Sequence, residues 1–503
     1  KHQLVIITGN AGDGKTAFIQ NLEKAVRDQK VDVTSINHGN GSKFKYQNLD
    51  FFTNYDGSQD EGENVNDNVL KNFFEPFAGV TYQKAQGQVR LIAINEGRLR
   101  DFLESNWQEF SWLRKEVFEF FDELGNKKLP EGLLIINLNL RSVVAGKAQS
   151  IFSRQLEVIG DDSFWKPCEG CSIKDHCFIK FNIDSFRDKT NGPEITERLR
   201  TVFETVHLRR RLHITMRDMR SALSYLIFRD HTCEDIAAAL ESTLTDPTDY
   251  LNKFYYNVLI GPDAKEVQLA GAEQGLVADI EVRTDRLIDL VTQIDVALVS
   301  NPQIDREMHF DGKTGGPPLF DLSSRSHIDE IMLETLQNNL VFGFEVAQNP
   351  KLISLHRIFH HMERRKSFFE RREDGWLKML PYEQLSRFRE VTQLESNEQK
   401  HQATLKDLKT QIISGISVAE GSKSKKYNQE YIWLRASQTD KPTIKSYRLF
   451  PAHDFELVVV NDLGALGEYL EYTPDNIILR HKVRKNRAEL VISLDLLELL
   501  FQI

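Results

Sequence analysis

The chain has 503 residues, more than a single hydrophobic core serves, so about two to four domains are expected. Its 40% hydrophobic and 27% charged residues are ordinary for a globular protein, and its net charge of −10 excludes a surface that coats nucleic acid as a whole, though not a local basic groove. Four cysteines, three of them between positions 168 and 177, exclude a secreted disulfide framework and point to a reducing compartment.

The chain opens Lys1-His2-Gln3, without an initiator Met, almost directly on its first strand. It carries no signal peptide and no run of about 18 apolar residues, so a cytoplasmic protein with no membrane segment is expected. The abrupt start reads as numbering that begins inside a longer polypeptide.

Leu4-Val5-Ile6-Ile7-Thr8 is an unbroken, largely β-branched run, which suits a strand of a parallel sheet covered on both faces. It is followed by Gly9-Asn10-Ala11-Gly12-Asp13-Gly14-Lys15-Thr16, which fits G-x-x-x-x-G-K-[ST] at every fixed position. Residues 17–26 then carry apolar side chains at helical spacing. Strand, loop and helix are the context of a phosphate-binding loop. Glycines let successive backbone N–H groups converge on phosphate oxygens, and the helix N-terminus adds favourable partial charge. Lys15 is expected on the β and γ phosphates of ATP, and the Thr16 hydroxyl on Mg²⁺. Asp13 is the unusual member, and its carboxylate is expected to point to solvent.

Residues 89–97, Val-Arg-Leu-Ile-Ala-Ile-Asn-Glu-Gly, read as a buried strand ending in Asn95-Glu96. Glu96 is the candidate catalytic base and Asn95 the candidate holder of the Mg²⁺ water shell, with a plain polar turn as the alternative. The neutral Asn95 places slow hydrolysis within the expectation. A further buried strand, residues 132–141, carries Asn137 and Asn139, which pleat alternation would point the same way. Asn139 is the candidate contact to the attacking water or γ-phosphate, because ligands sit at the carboxyl ends of such strands; an amide capping the next helix is the alternative.

Cys168, Cys171 and Cys177 form C-x-x-C-x5-C, a turn in which two thiolates can meet one Zn²⁺. Cys233 would complete four sulfur ligands, and His176 is its rival. An iron–sulfur cluster and unligated thiols are the other readings. Residues 208–223 read as helical with Thr215 as N-cap, and Arg217 and Arg220 lie one turn apart on it. A solvated basic face is the alternative to a nucleotide contact for Arg217 and Arg220, and the Arg209-Arg210-Arg211 run is a nucleic-acid phosphate contact or a subunit boundary.

Residues 263–397 are mostly helical in pattern, with 283–299 amphipathic and 311–318 a Gly/Pro loop. Residues 363–372 interleave arginines with Phe368 and Phe369, a composition that either grips nucleic acid or forms a solvated helix with aromatic residues in the core. After the loop at 421–426, residues 430–434, 443–450, 455–460, 477–480 and 488–492 alternate as strands, and Lys482, Arg484, Lys485 and Arg487 form a basic turn.

The ordered set of Gly9–Thr16, Ile94-Asn95-Glu96-Gly97, Asn137-Leu138-Asn139-Leu140-Arg141, the cysteine run and Thr215–Ser221 resembles the AAA+/STAND-like ATPases of bacterial anti-phage defence, in particular the ATPase component of phosphorothioation-dependent DNA restriction systems. The resemblance covers about the first half of the chain. It implies ATP binding and hydrolysis with the catalytic residues Lys15, Glu96, Asn139 and Arg217, and Arg220 on the nucleotide from a lid helix. It also implies an oligomer working with other defence proteins, with DNA as a further partner. The expected architecture is an α/β P-loop NTPase with an AAA+-like parallel sheet over 1–160, a cysteine knuckle over 161–182, a helical lid over 183–262, a helical region over 263–397 and an α+β C-terminal domain over 398–503. The alternative function is an ATP-dependent oligomeric signalling switch with slow hydrolysis.

Overall fold

The computed structural model describes residues 3–60, 65–82, 87–122, 128–144, 150–210, 213–243, 253–260, 286–291, 294–296, 302, 361, 364–370, 375–378, 382–393, 399–424, 427–435, 447–459, 477–483 and 485–502. The chain divides into two compact units: the first comprises residues 1–143, 213–217 and 391–503, the second residues 144–212 and 218–390. The boundaries drawn from the sequence are contiguous cuts, whereas these units are not. His213–Arg217 belongs to the first unit although its flanking residues belong to the second.

The first unit is built on a six-stranded sheet. Its strands are β1 Leu4–Thr8, β2 Val33–Ile36, β3 Gly41–Tyr46, β4 Leu49–Asn54, β5 Gln88–Ala93 and β6 Leu133–Asn137. Their spatial order is β2-β3-β4-β5-β1-β6. β1 pairs in parallel with both β5 and β6, and β4 pairs in parallel with β5. β3 alone runs antiparallel, to both β2 and β4. The sheet is therefore mixed and mostly parallel, and the carboxyl ends of β4, β5, β1 and β6 open on one edge.

The helices of this unit are α1 Lys15–Asp28, α2 Asn66–Phe74, α3 Glu96–Ser105 and α4 Ser111–Asp122. Alternation along β1 sorts its side chains. Leu4 and Ile6 pack with Ile92, Leu133 and Ile135 under α2, α3 and α4, while Val5 and Ile7 pack with Leu91, Ala93 and Ile19 of α1. Both faces of β1 are covered, which is why its sequence is an unbroken apolar run rather than an alternating one. Each fully buried Ile of this kind contributes roughly 1.5–3 kcal/mol.

α1 also buries a carboxylate. Glu23 is 1% exposed. Its Oε1 accepts Ser42 Oγ–H at 2.6 Å and Thr53 Oγ1–H at 2.9 Å, and its Oε2 accepts Tyr55 O–H at 2.7 Å. A buried charge persists only when so satisfied. These bonds tie α1 to β3 and to the end of β4, fixing where residues 55 and 56 stand.

Two expectations change here. The strand read over 132–141 ends at Asn137, and Leu138–Leu140 form a 3₁₀ turn. Asn137 and Asn139 are thus not related by pleat alternation; the Asn137 side chain caps the turn by accepting the Asn139 N–H at 3.0 Å. The basic and aromatic residues of 364–369 are internal: Phe368 and Phe369 are 0% exposed, and Arg364, Arg365 and Lys366 are also buried. The two aromatic residues lie in the core, as the second reading had it, but neither a nucleic-acid grip nor a solvated face describes Arg364, Arg365 and Lys366.

In the second unit, α5 Ile151–Ile159, α6 Asp162–Trp165, α7 Phe178–Arg187, α8 Gly192–Arg210, α9 Met216–Phe228 and α10 Cys233–Thr243 follow one another, the first turn of α9 belonging to the first unit. α9 starts directly after Thr215, as expected. Arg211, the end of the basic run, lies outside the described residues, as does the loop at 311–318.

The C-terminal strands β7 Tyr431–Arg435, β8 Tyr447–Pro451, β9 Phe455–Val459, β10 Ile477–His481 and β11 Lys485–Ile492 match the alternating segments closely. They form a β7-β8 ribbon and a three-stranded antiparallel sheet β11-β10-β9. A helix over Gln399–Ala419 packs on β7 and on a C-terminal helix over Leu494–Gln502. The basic run at 482–487 spans the β10–β11 connection, with Lys482 in the turn, Lys485 and Arg487 in β11, and Arg484 outside the described residues. Among the described residues no helix is long and apolar enough to cross a membrane.

Candidate functional site

The loop Gly9–Gly14 leaves β1 and enters α1 at Lys15 without an intervening residue. Gly12 and Gly14 have φ of +100° and +90°, a region that favours glycine. There is no space for a side chain either. A Cβ on Gly12 would lie 2.9 Å from Thr215 Oγ1 and from Arg217 Cβ, and one on Gly14 would lie 2.3 Å from Met216 Cε. The close approach of Thr215 and Arg217 adds to the turn's demand for glycine at Gly12, whereas at Gly14 the turn decides, since the Met216 methyl can move aside.

Lys15 folds over the loop, donating from Nζ to Gly9 O and Asn10 O, both at 2.8 Å. Burial lowers its pKa below the usual lysine value, against the opposing pull of Asp13 and Asp56. Thr16 Oγ1 donates to Tyr55 O at 2.9 Å, at the end of β4. The Asn10 N–H lies 3.1 Å from Asn139 Oδ1 and 2.6 Å from Asp13 Oδ2, and donates to both. Asn139 thus reaches the loop from the 3₁₀ turn after β6. Ala11 is exposed on the outer bend.

Asp13 departs from the expectation of a solvent-facing carboxylate. It is 5% exposed, its Oδ2 takes the Asn10 N–H, and its Oδ1 lies 2.8 Å from His213 Nε2. The reason is the His213–Arg217 segment, which joins the first unit and covers the loop at this point.

Asn95 and Glu96 stand at the carboxyl end of β5, on the same sheet edge as the loop. Asn95 holds the N-cap position of α3 without a side-chain bond, and the Glu96 carboxylate pairs with Arg100 Nε at 2.9 Å. Arg100 in turn bonds Asp122 of α4 at 3.2 Å. Arg217 is in the first unit and exposed, while Arg220 belongs to the second.

The sequence reading passed over Asp56. It follows β4, one strand further from β1 than β5, and its Oδ1 accepts the Ser58 N–H and Oγ–H at 2.9 and 2.8 Å. Its backbone is held by Asn40 Nδ2 on its carbonyl at 3.0 Å and by Asn54 Oδ1 on its N–H at 3.1 Å. β4 has a partly exposed pattern and no long apolar run, so period and hydrophobicity drew attention to β5 instead. An Asp-Gly step directly after a strand was the available signal.

The cysteines form a second grouping. Cys168 lies within the turn over Lys166–Gly170 and Cys171 ends it, with the Cys171 N–H on Cys168 O at 3.2 Å; Cys177 precedes α7 and Cys233 opens α10. All four are free thiols. Burial pushes Cys168 up, with Cys233 and Cys171 adding to the effect and Lys180 opposing it. Burial likewise pushes Cys177 up, opposed by hydrogen bonds from the Lys180 and Ile179 amides and reinforced by Cys168 and Cys233. Cys168 and Cys177 are each within electrostatic reach of Cys233. Yet among the described residues no group of three or more His, Cys, Asp or Glu side chains is placed to hold a metal ion, and the His176 side chain lies outside them.

Comparison of the chain with known protein families, with curated proteins and with solved structures finds no match in any of the three.

Proposed function

We propose that the chain is an ATP-binding and ATP-hydrolysing enzyme whose site is the Gly9–Thr16 loop. The observation that carries this reading is the convergence, at the carboxyl edge of a mostly parallel sheet, of a glycine loop entering a helix, Lys15 folded over that loop, and Thr16 bonded to the end of β4. Backbone N–H groups of the loop bind phosphate oxygens, and Lys15 exchanges its two carbonyl partners for the β and γ phosphates. Asn139, already on the loop, orients the group that attacks or leaves. Thr16 and Asp56 are hard oxygen ligands beside Lys15 and suit Mg²⁺, which when bound neutralises charge on the phosphates. Glu96, paired with Arg100, accepts a proton from water only after that pair loosens. This favours as a second reading a slow-turnover switch, in which ATP binding sets a state.

Two substitutions separate the acids. In Asp56→Asn, the gain in ATP affinity on adding Mg²⁺ is expected to fall about tenfold, about 1.4 kcal/mol, with affinity in EDTA unchanged. In Glu96→Gln, Mg²⁺-dependent binding is expected to persist while turnover falls about a hundredfold or more. Titration of ATP with and without Mg²⁺, alongside turnover, checks both. The work on DNA or on defence partners that the resemblance implies is tested in the same assay. DNA-stimulated turnover supports a DNA-directed ATPase, and tight ATP retention with background turnover supports the switch.

Zinc at Cys168, Cys171, Cys177 and Cys233 is a separate proposal, supported by the C-x-x-C-x5-C spacing and by the influence of Cys233 on Cys168 and Cys177. Elemental analysis of the purified chain is expected to find about one zinc per chain, lost in Cys168→Ser/Cys171→Ser. A metal-free chain that melts unchanged in chelator overturns it.

A further inference from the structure

A carboxylate inside a phosphate-binding loop is an electrostatic liability. Asp13 is part of the loop, is 5% exposed, and points its Oδ2 at the Asn10 N–H, one of the donors phosphate would use. A buried anion next to an incoming polyanion repels it strongly, because the low local dielectric screens little. Two basic side chains stand close to Asp13. One is Lys15, which the proposed function commits to the phosphates. The other is His213, whose Nε2 lies 2.8 Å from Asp13 Oδ1, with side-chain exposures of 19% and 4% for the pair.

We infer that His213 is the charge-compensating residue of the nucleotide site: as a hydrogen-bonding cation on Asp13, it cancels the loop's own negative charge, so that the loop accepts a nucleoside triphosphate while Lys15 serves the phosphates. This deepens the proposed function and rests on it. The His213–Arg217 segment is packed against Gly12 and Gly14, and it delivers the imidazole to a carboxylate 200 positions away. Neither residue needs to touch the nucleotide. His213 positions and neutralises Asp13, and Asp13 shapes the loop through the Asn10 N–H. Among the described residues the charged group shown to act on Asp13 besides His213 is Lys15.

The test is a double-mutant cycle read by titrating a slowly hydrolysed ATP analogue with Mg²⁺ into the full chain. His213→Gln keeps a hydrogen-bonding side chain and removes the cation. It is expected to weaken analogue binding about tenfold or more, the scale of one uncompensated buried charge near the phosphates. Asp13→Asn removes the anion and supplies the reference chain for the cycle, whatever its own affinity. The decisive variant carries both changes: with no anion left to compensate, adding His213→Gln to Asp13→Asn shifts affinity by less than about threefold. If His213 merely packs, adding His213→Gln weakens Asp13→Asn as much as it weakens the parent, and the inference is overturned. It is equally overturned if His213→Gln binds like the parent. If the parent chain binds no analogue at all, while its melting shows it folded, the reading of the loop itself fails. Melting curves of all four chains separate lost affinity from lost fold.

Discussion

Lys15→Ala is expected to bring ATP turnover down about a hundredfold to a thousandfold, as removal of a preorganised cation from developing phosphate charge does elsewhere. The side chain is committed to the loop: its Nζ bonds Gly9 O and Asn10 O, and no other lysine is brought to these carbonyls among the described residues. The fold itself is expected to survive. Burial lowers the Lys15 pKa, so the folded chain disfavours its charged form, and the ammonium is a cost to folding at neutral pH rather than a support. Steady-state turnover and thermal melting, measured together, check both halves. A Lys15→Ala chain that hydrolyses ATP at the parent rate would remove the loop from the chemistry.

The largest stability effect is expected in the second unit, far in sequence from the loop. Arg365 and Asp295 are 3% and 2% exposed. The guanidinium forks onto the carboxylate, with Nε on Oδ1 at 3.2 Å and Nη2 on Oδ2, and its Nη1 donates to Asn257 Oδ1 at 3.4 Å. Removing one partner of a buried pair leaves the other charge unpaired in a low dielectric, at a cost of about 3–5 kcal/mol. Asp295→Ala is therefore expected to lower unfolding free energy by about that amount, and Asp295→Asn by less, because it keeps an acceptor for the guanidinium. Replacing both members with apolar residues of similar volume is expected to cost far less than Asp295→Ala alone. Denaturant unfolding of the three variants tests this. An Asp295→Ala chain as stable as the parent would mean that water reaches Arg365.

Local pattern carried a good part of the fold. The run Leu4–Thr8 declared a strand covered on both faces, and Leu4 and Ile6 on one side with Val5 and Ile7 on the other are that covering. The C-terminal segments alternated as strands and are strands, offset by a few residues at their ends. Here each residue's fate is set by neighbours two to four positions away, which is the range a sequence pattern spans. The 132–141 run misled for a local reason: Asn137 caps a 3₁₀ turn, a choice between strand and turn that hydrophobicity does not encode.

The charges were harder to read. The pattern around 363–372 looked like a surface because arginines usually are one, yet Arg365 is buried against an aspartate 70 positions away. Asp13 looked like a solvent-facing loop residue, yet its partner is His213. Asp56 has no long apolar run to mark it, yet its charge is felt at Lys15, where with Asp13 it opposes the lowering of the lysine's pKa by burial. By itself the sequence determined that a glycine loop ending in Lys15 and Thr16 joins β1 to α1, and that four cysteines lie in a few short segments. Only the tertiary structure decided which charges meet. A strand or a turn is fixed by bond geometry and nearby side chains. A buried charge is fixed by whichever distant group satisfies it, and that depends on the order of strands in the sheet and on where a segment such as His213–Arg217 lies.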